Sequence, residues 1–317
     1  MTTVLVTGAA GFIGSHTARA LLERGLKVVG LDNFDPFYDV AVKRAAIASL
    51  ESHSQFAFID ADITHVTAVR QAFADYKPTA VVHLAAKAGV RPSIADPAEY
   101  ARVNVGGTSV ILAEAHRFGC DRIVAASSSS VYGNCPTAPF HEALDVNEPI
   151  SPYAATKRAC ELLGLTHQAL TKQPVAMLRF FTVFGPGQRP DLAIMQFLKR
   201  VSAGETIRVF GDGSSSRDYT YIDDIVTGIL AAYDRIPAFG YRIWNLGGNT
   251  PTTLDEMVAT VARVVGRDAV VVREAMQPGD VDRTWADLTR SGQELGYAPR
   301  TPFEIGVRKQ WASLGRA

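Results

Sequence analysis

Two short segments hold residue types at a spacing that suits hydride chemistry on an alcohol. The first, Thr7-Gly8-Ala9-Ala10-Gly11-Phe12-Ile13-Gly14, follows the apolar run Val4-Leu5-Val6. This pattern predicts a strand, a tight glycine turn and the start of a helix. Glycine lets the backbone approach a pyrophosphate closely, and a helix N-terminus turns unpaired N–H groups toward an anion. The second segment, Tyr153-Ala154-Ala155-Thr156-Lys157, lies far along the chain. It sets a phenol and an ammonium at i and i+4, one helical turn apart. A cation there favours the phenolate, the form in which tyrosine acts as a base. Each segment alone has a plainer reading: the GxxGxxG spacing as a structural turn, the Tyr–Lys pair as a surface helix pair. In this order they point to a dinucleotide cradle serving an activated tyrosine.

Other chemistry-bearing residues fall into place around that pair. Asp32 comes 18 residues after Gly14, at the end of a second apolar run. A carboxylate there accepts hydrogen bonds from ribose hydroxyls and repels a 2′-phosphate, so NAD is expected over NADP. Asp62 either meets the adenine amine or caps the helix that follows. Ser127-Ser128-Ser129-Ser130 supplies hydroxyls that can bond a substrate oxygen or pass a proton to Tyr153. Arg189 and Arg217 stand after glycine-rich turns, and guanidinium groups there suit phosphate or carboxylate. His83 reads as a satisfied core histidine.

The elements that must position these residues show in the periodicity. Strands are predicted at Val4–Val6, Lys27–Leu31, Ala57–Asp60, Ala80–Leu84, Arg122–Ala126 and Val175–Arg179. Helices are predicted near Ile13–Arg24, Val66–Tyr76, Glu99–Phe118 and Pro152–Leu170. The alternation argues for an α/β fold, a Rossmann-type doubly wound parallel sheet with ligands beyond the strands' carboxyl ends. Beyond Arg179 the rhythm is irregular, with helical patterns at 192–203, 223–236, 254–265 and 303–313. That part reads as a smaller C-terminal unit packed on the first.

Composition narrows the partners. The 317 residues are 47% hydrophobic and carry 32 basic against 32 acidic side chains. The balance gives no electrostatic footprint for nucleic acid or an anionic membrane. No apolar stretch reaches the ~20 residues of a membrane span. Cys120, Cys135 and Cys160 are odd in number and scattered, which suits reduced thiols in a cytoplasmic protein and neither a disulfide framework nor a metal site. The first strand begins near Thr3, which leaves no room for a signal peptide.

On these motifs the chain resembles the extended short-chain dehydrogenase/reductases, specifically the nucleotide-sugar epimerases. Further segments carry the likeness: Leu31-Asp32-Asn33, His83-Leu84-Ala85-Ala86, Ser127 to Gly133, and Arg217-Asp218-Tyr219 before Tyr221-Ile222-Asp223-Asp224. Asp35 to Asp39, Ala88 to Ile94, Phe180 to Pro186 and Met276 to Val281 bring it nearest to UDP-glucuronate 4-epimerases. The resemblance implies NAD held by Gly8, Gly11, Phe12, Ile13, Gly14, Asp32, Asn33, Asp62, Ile63, Leu84, Ala85 and Ala86, with Tyr153 and Lys157. It implies Tyr153, Lys157 and Ser128 as the catalytic set. It also implies Thr182 and Arg189, with Ser128, Ser129 and Ser130, at a sugar carboxylate, Arg217 and Asp280 at the nucleotide diphosphate and ribose, and Arg91 as a further substrate-binding residue. Residues 1–180, completed by a segment near 218–246, would bind NAD; residues 181–317 would mainly bind the UDP-sugar. A homodimer through two helices, near Glu99–Phe118 and Pro152–Leu170, is implied as well.

Alternatives remain at this point. Gly187-Gln188 before Arg189 drifts toward epimerases of neutral sugars, UDP-glucose or its N-acetyl relative. A UDP-glucuronate decarboxylase shares the first oxidation. A 4,6-dehydratase would carry Asp-Glu where Ser129 and Ser130 stand. A dinucleotide-binding sensor would have no use for Tyr153, Lys157 and Ser128 together.

Overall fold

The computed structural model describes residues 2–276 and 280–315. In chain order it begins with β1 (Thr3–Thr7), α1 (Phe12–Glu23), β2 (Lys27–Asp32), α2 (Val40–Glu51), β3 (Phe56–Asp60), α3 (Val66–Tyr76) and β4 (Ala80–His83). There follow two short helices, α4 (Val90–Ala95) and α5 (Pro97–Tyr100), then α6 (Gly107–Arg117), β5 (Arg122–Ser128), α7 (Pro152–Thr171) and β6 (Val175–Phe180). The remainder comprises β7 (Thr182–Phe184), α8 (Ala193–Ala203), β8 (Ile207–Phe210), β9 (Ser216–Tyr221), α9 (Ile222–Arg235) and β10 (Tyr241–Leu246). Last come β11 (Pro251–Thr253), α10 (Leu254–Val265), β12 (Val271–Glu274), α11 (Thr289–Leu295) and α12 (Phe303–Ala312).

Seven strands form one sheet in the order β3-β2-β1-β4-β5-β6-β10, every pair parallel. Its strands are apolar on both faces because helices cover both. Val4, Val6, Val82 and Leu178 enter one core with Leu21, Ile225 and Ile229 of α1 and α9. Leu5, Val81, Ile123 and Met177 enter the other with Phe73, Ile111 and Cys160 of α3, α6 and α7. Strand order reverses between β1 and β4, so a crevice opens beyond their carboxyl ends. The later segment supplies a three-stranded sheet, β11-β9-β7, and a two-stranded one, β12-β8.

Two local features depart from the sequence reading. The helix expected over Glu99–Phe118 is interrupted: α5 gives way to a wide π turn over Ala101–Gly106 before α6 begins. Such turns are frequent at functional sites, and this one turns Asn104 inward. Gly107 follows it because a Cβ there would lie 2.4 Å from Ile63 Cδ1. The helix α2 is additional to the sequence reading. It is capped by Asp39, which accepts from the Ala41 amide.

Candidate active site

The glycine turn leaves β1 at the crevice. Gly8 adopts φ +72°, and its amide donates to the Leu31 carbonyl at 2.8 Å. Gly11 N–H donates back to the Gly8 carbonyl at 3.0 Å, which tightens the turn. A Cβ at Gly14 would lie 1.9 Å from the Gly8 oxygen, and one at Gly8 would lie 2.7 Å from the Ala85 nitrogen. Only bare backbone fits here, as a cradle for a pyrophosphate requires. Asp32 ends β2 beside it. Its Oδ2 accepts from Ala10 N–H at 3.1 Å and its Oδ1 from Phe34 N–H at 2.9 Å. Burial raises the Asp32 pKa, and the nearby Lys43 ammonium opposes that shift. These residues fit the adenosine half of a dinucleotide.

Asp62 neither caps α3 nor stands free. It accepts from the backbone and hydroxyl of Thr64 at 2.8 and 2.7 Å and from the Asn33 side chain at 3.0 Å. Two loops meet above the turn: Lys87 Nζ pairs with Asp35 Oδ2 at 2.6 Å. Because β1 lies between β2 and β4, this pair spans the end of β1 and the cradle it carries.

The tyrosine and lysine come from the first turns of α7. Ser151 caps that helix, accepting from Ala154 N–H at 3.1 Å, and Pro152 starts it without a wasted donor. Tyr153 N–H donates to Ser93 Oγ at 3.0 Å, and its ring meets Tyr100 edge-on. Lys157 is buried and donates to the Ala126 carbonyl at 2.9 Å, at the carboxyl end of β5. Ser128 Oγ accepts from Ser130 N–H at 3.2 Å and lies 2.9 Å from Ser130 Oγ. Beneath them runs a buried ion pair. Arg179 donates to both oxygens of Glu161 at 2.8 and 2.9 Å, and Ser127 Oγ donates to Glu161 at 2.7 Å. Asn104 ties the loop after β4 to α7: its amide donates to the Lys87 carbonyl and to Thr156 Oγ1, both at 3.0 Å.

One cavity of about 490 Å³ joins the cradle to this chemistry. It is lined by Gly8, Gly11, Phe12, Ile13, Gly14, Asp32, Asn33, Asp62, Ile63, Leu84, Ala85, Ala86, Tyr153 and Lys157. Ser128, Ser129, Ser130, Thr182 and Arg189 line it too. Arg189 is largely buried and makes a two-bond pair with Asp191, Nη2 to Oδ2 at 2.7 Å and Nε to Oδ1 at 3.0 Å. Its guanidinium lies over the Phe37 ring at 4.9 Å.

Three expected site residues are outside the lining and form a group of their own. Arg91 pairs with Asp280 at 2.7 Å and lies over the Phe210 ring at the end of β8. Arg217 donates to the Ser216 carbonyl at 2.9 Å; burial lowers its pKa, against the pull of Tyr219, Asp280 and Asp282. Of the expected segment Met276 to Val281, Gln277, Pro278 and Gly279 lie outside the described residues. Asp218, in the same motif as Arg217, is structural. It accepts from the amides of Gly248, Asn249 and Ala286 at 2.7–3.1 Å, tying β9 to two loops.

Several lining or positioning residues had no assigned role in the sequence reading. Phe37, Tyr38 and Lys43 reach the cavity from the segment after β2, and Lys87 from the loop after β4. Ser93 and Asn104 act on α7 from outside it. Asn104 gave no signal in the sequence, since only the fold brings it to Thr156.

Residues 4–247 match the model of the NAD dependent epimerase/dehydratase family. A UDP-glucuronate 4-epimerase of Thermodesulfobacterium geofontis is 40% identical over 307 residues, spanning 96% of this chain and 94% of that one. Among solved structures, the UDP-glucuronic acid 4-epimerase of Bacillus cereus, in complex with UDP-glucuronic acid and NAD, superposes with a TM-score of 0.93. It is 34% identical, with 99% of each chain covered. The UDP-glucose 4-epimerase of Thermus thermophilus, in complex with NAD, gives a TM-score of 0.90 at 30% identity over all of both chains.

Proposed function

Since the chain belongs to the NAD-dependent epimerase/dehydratase family, we propose that it interconverts UDP-glucuronate and UDP-galacturonate at carbon 4 of the sugar. The observation that carries this reading is Arg189. A largely buried cation lines the cavity that also holds Thr182, the Ser128–Ser130 hydroxyls and Tyr153.

Asp32, Asn33 and the Gly8–Gly14 turn would hold NAD, which when bound would supply a reversible hydride acceptor for carbon 4 of the sugar. Tyr153 accepts the proton of the 4-hydroxyl and gives it back. Lys157, fixed by the Ala126 carbonyl, keeps positive charge near the phenol. Ser128 hydrogen-bonds the reacting oxygen. The 4-ketone of a uronic acid is a β-keto acid and loses CO₂ when its breaking C–C bond aligns with the carbonyl π system. Thr182 and Arg189 hold the carboxylate out of that alignment. Arg91, Arg217 and Asp280 face the nucleotide. In this reading residues 1–180 with the 218–246 segment serve NAD, and 181–317 mainly the UDP-sugar.

We read the enzyme as a cytoplasmic homodimer. Leu162 and Leu165 are exposed one turn apart on α7, beside α6, as a helical dimer seam requires. No disulfide joins the three cysteines, in keeping with a reducing compartment. Among the described residues no helix is long and apolar enough to cross a membrane.

One observation favours a second reading. The Arg189–Asp191 pair carries no net charge, which suits a neutral UDP-hexose as well. Incubation of the purified protein with UDP-glucuronate, without reductant, separates the readings by chromatography and mass. A new peak of unchanged mass running as UDP-galacturonate is expected. A product lighter by CO₂ would make the protein a decarboxylase, and conversion of UDP-glucose alone would establish the second reading. Tyr153→Phe should abolish turnover; a sensor would keep its function.

A further inference from the structure

We infer that Asp191 sets the enzyme's preference between charged and uncharged sugars by acting as an internal rival for Arg189. The inference rests on the uronate reading above and deepens it. Arg189 and Asp191 are separated by Pro190, whose fixed φ stiffens the segment. The Leu192 amide closes a turn onto the Arg189 carbonyl at 3.3 Å, and Gln196 Nε2 donates to the Asp191 carbonyl at 2.7 Å. The turn holds the Asp191 carboxylate against the guanidinium by two hydrogen bonds, from Nε and Nη2. Phe37 covers one face of the cation. Arg189 and Tyr153 line the same cavity.

A guanidinium has five N–H donors in a fixed fork. Asp191 takes the Nε–Nη2 edge, so a substrate carboxylate meets Arg189 along the Nη1 side or by displacing Asp191. In both cases it approaches a cation whose charge is already balanced and feels a carboxylate of its own sign beside it. An uncharged sugar hydroxyl at the same place feels neither attraction nor repulsion of that size. Asp191 therefore weakens the hold on a uronate selectively. Substrate and product uronates carry the same carboxylate, so Asp191 loosens both alike and discriminates only between charged and uncharged sugars. Asp191 is a positioning residue in this scheme, since it acts through Arg189.

The test measures equilibrium binding of UDP-glucuronate and UDP-glucose to the NAD-loaded wild type and to Asp191→Asn, by calorimetry at low and at physiological salt. Removing one like charge a few ångströms from the ligand carboxylate should lower the Kd for UDP-glucuronate about tenfold at low salt, and less as salt screens it. The Kd for UDP-glucose should move less than about twofold, within the spread of surface substitutions. A merely structural role for Asp191 would weaken both ligands. An unchanged or higher Kd for UDP-glucuronate would overturn the inference, as would equal tightening of UDP-glucose. Retained NAD and melting temperature certify the fold, and Asp191→Ala repeats the measurement should the Asn variant lose either. Turnover of UDP-glucuronate by the wild type tests the uronate reading separately from these binding ratios.

Discussion

His83 makes the stability of this fold depend on pH in a way that can be worked out beforehand. It closes β4 with both ring nitrogens engaged, Nδ1 with Thr7 Oγ1 at 2.7 Å and Nε2 with Thr108 Oγ1 at 3.1 Å. Burial, and then the Lys157 charge, push its pKa from 6.5 down to about 3. The ring therefore stays neutral in the folded protein across the useful range. An unfolded chain has an ordinary imidazole that titrates near 6.5. Its stabilising effect is full above pH 6.5 and is lost progressively as pH falls toward 3. Between pH 7 and pH 5 the unfolded state gains a proton that the folded state refuses, which removes about 2 kcal/mol. Urea midpoints of the wild type and of His83→Gln at pH 7, 6 and 5 isolate the effect, because the other carboxylates and histidines titrate in both. At pH 7 the variant should be less stable by roughly 1–3 kcal/mol, the cost of disturbing two buried hydrogen bonds. That gap should close by about 2 kcal/mol at pH 5. Parallel acid limbs in the two proteins would refute the reasoning and mean that the folded ring accepts a proton.

Two further outcomes follow from the geometry. Gly14→Ala puts a methyl 1.9 Å from the Gly8 oxygen, so the turn must open. The purified variant should contain little or no NAD by absorbance after denaturation, while its far-ultraviolet circular dichroism stays close to that of the wild type. Glu161→Ala leaves Arg179, 1% exposed, without its counter-ion; the loss should be roughly 3–5 kcal/mol, read as a drop in Tm on the order of 10 °C for a chain of this size.

Much of this fold was legible because the strands of its first part are uniformly apolar and bounded by strong punctuation. The six runs from Val4 to Arg179 each sit in the sheet within a residue or two of their predicted ends. Alternation there has only one solution, a sheet covered on both faces. The seventh strand was less visible. Tyr241–Leu246 reads as a short mixed segment, and its place beside β6 is decided by α9 packing on the sheet. The strands β7, β8, β9, β11 and β12 each include polar residues and lie where no regular strand–helix alternation frames them. The helix α2 is Ala-rich, with only Lys43, Ile47 and Leu50 buried, so its apolar stripe is thin. At the site, the glycine turn, Asp32, Tyr153 and Lys157 were legible because sequence spacing alone sets their geometry. Lys43, Lys87 and Asn104 were not, because their partners come from other loops or helices. The Arg189–Asp191 pair was not legible either: its residues are two apart in sequence, but their orientation depends on a turn.

The pairing of β10 with β6 has a consequence for how the protein is made. Val175 lies opposite Tyr241 and Phe180 opposite Leu246, so the last sheet position is filled from about 65 residues further along the chain. While a ribosome is still adding those residues, β6 ends the sheet with its backbone groups unpaired, an edge on which other chains can build. The glycine turn is thus complete in sequence well before all seven strands of its sheet are. Truncation of the chain anywhere between β6 and β10 would fix that open edge permanently, which makes a free-standing first half of this protein a poor object for expression.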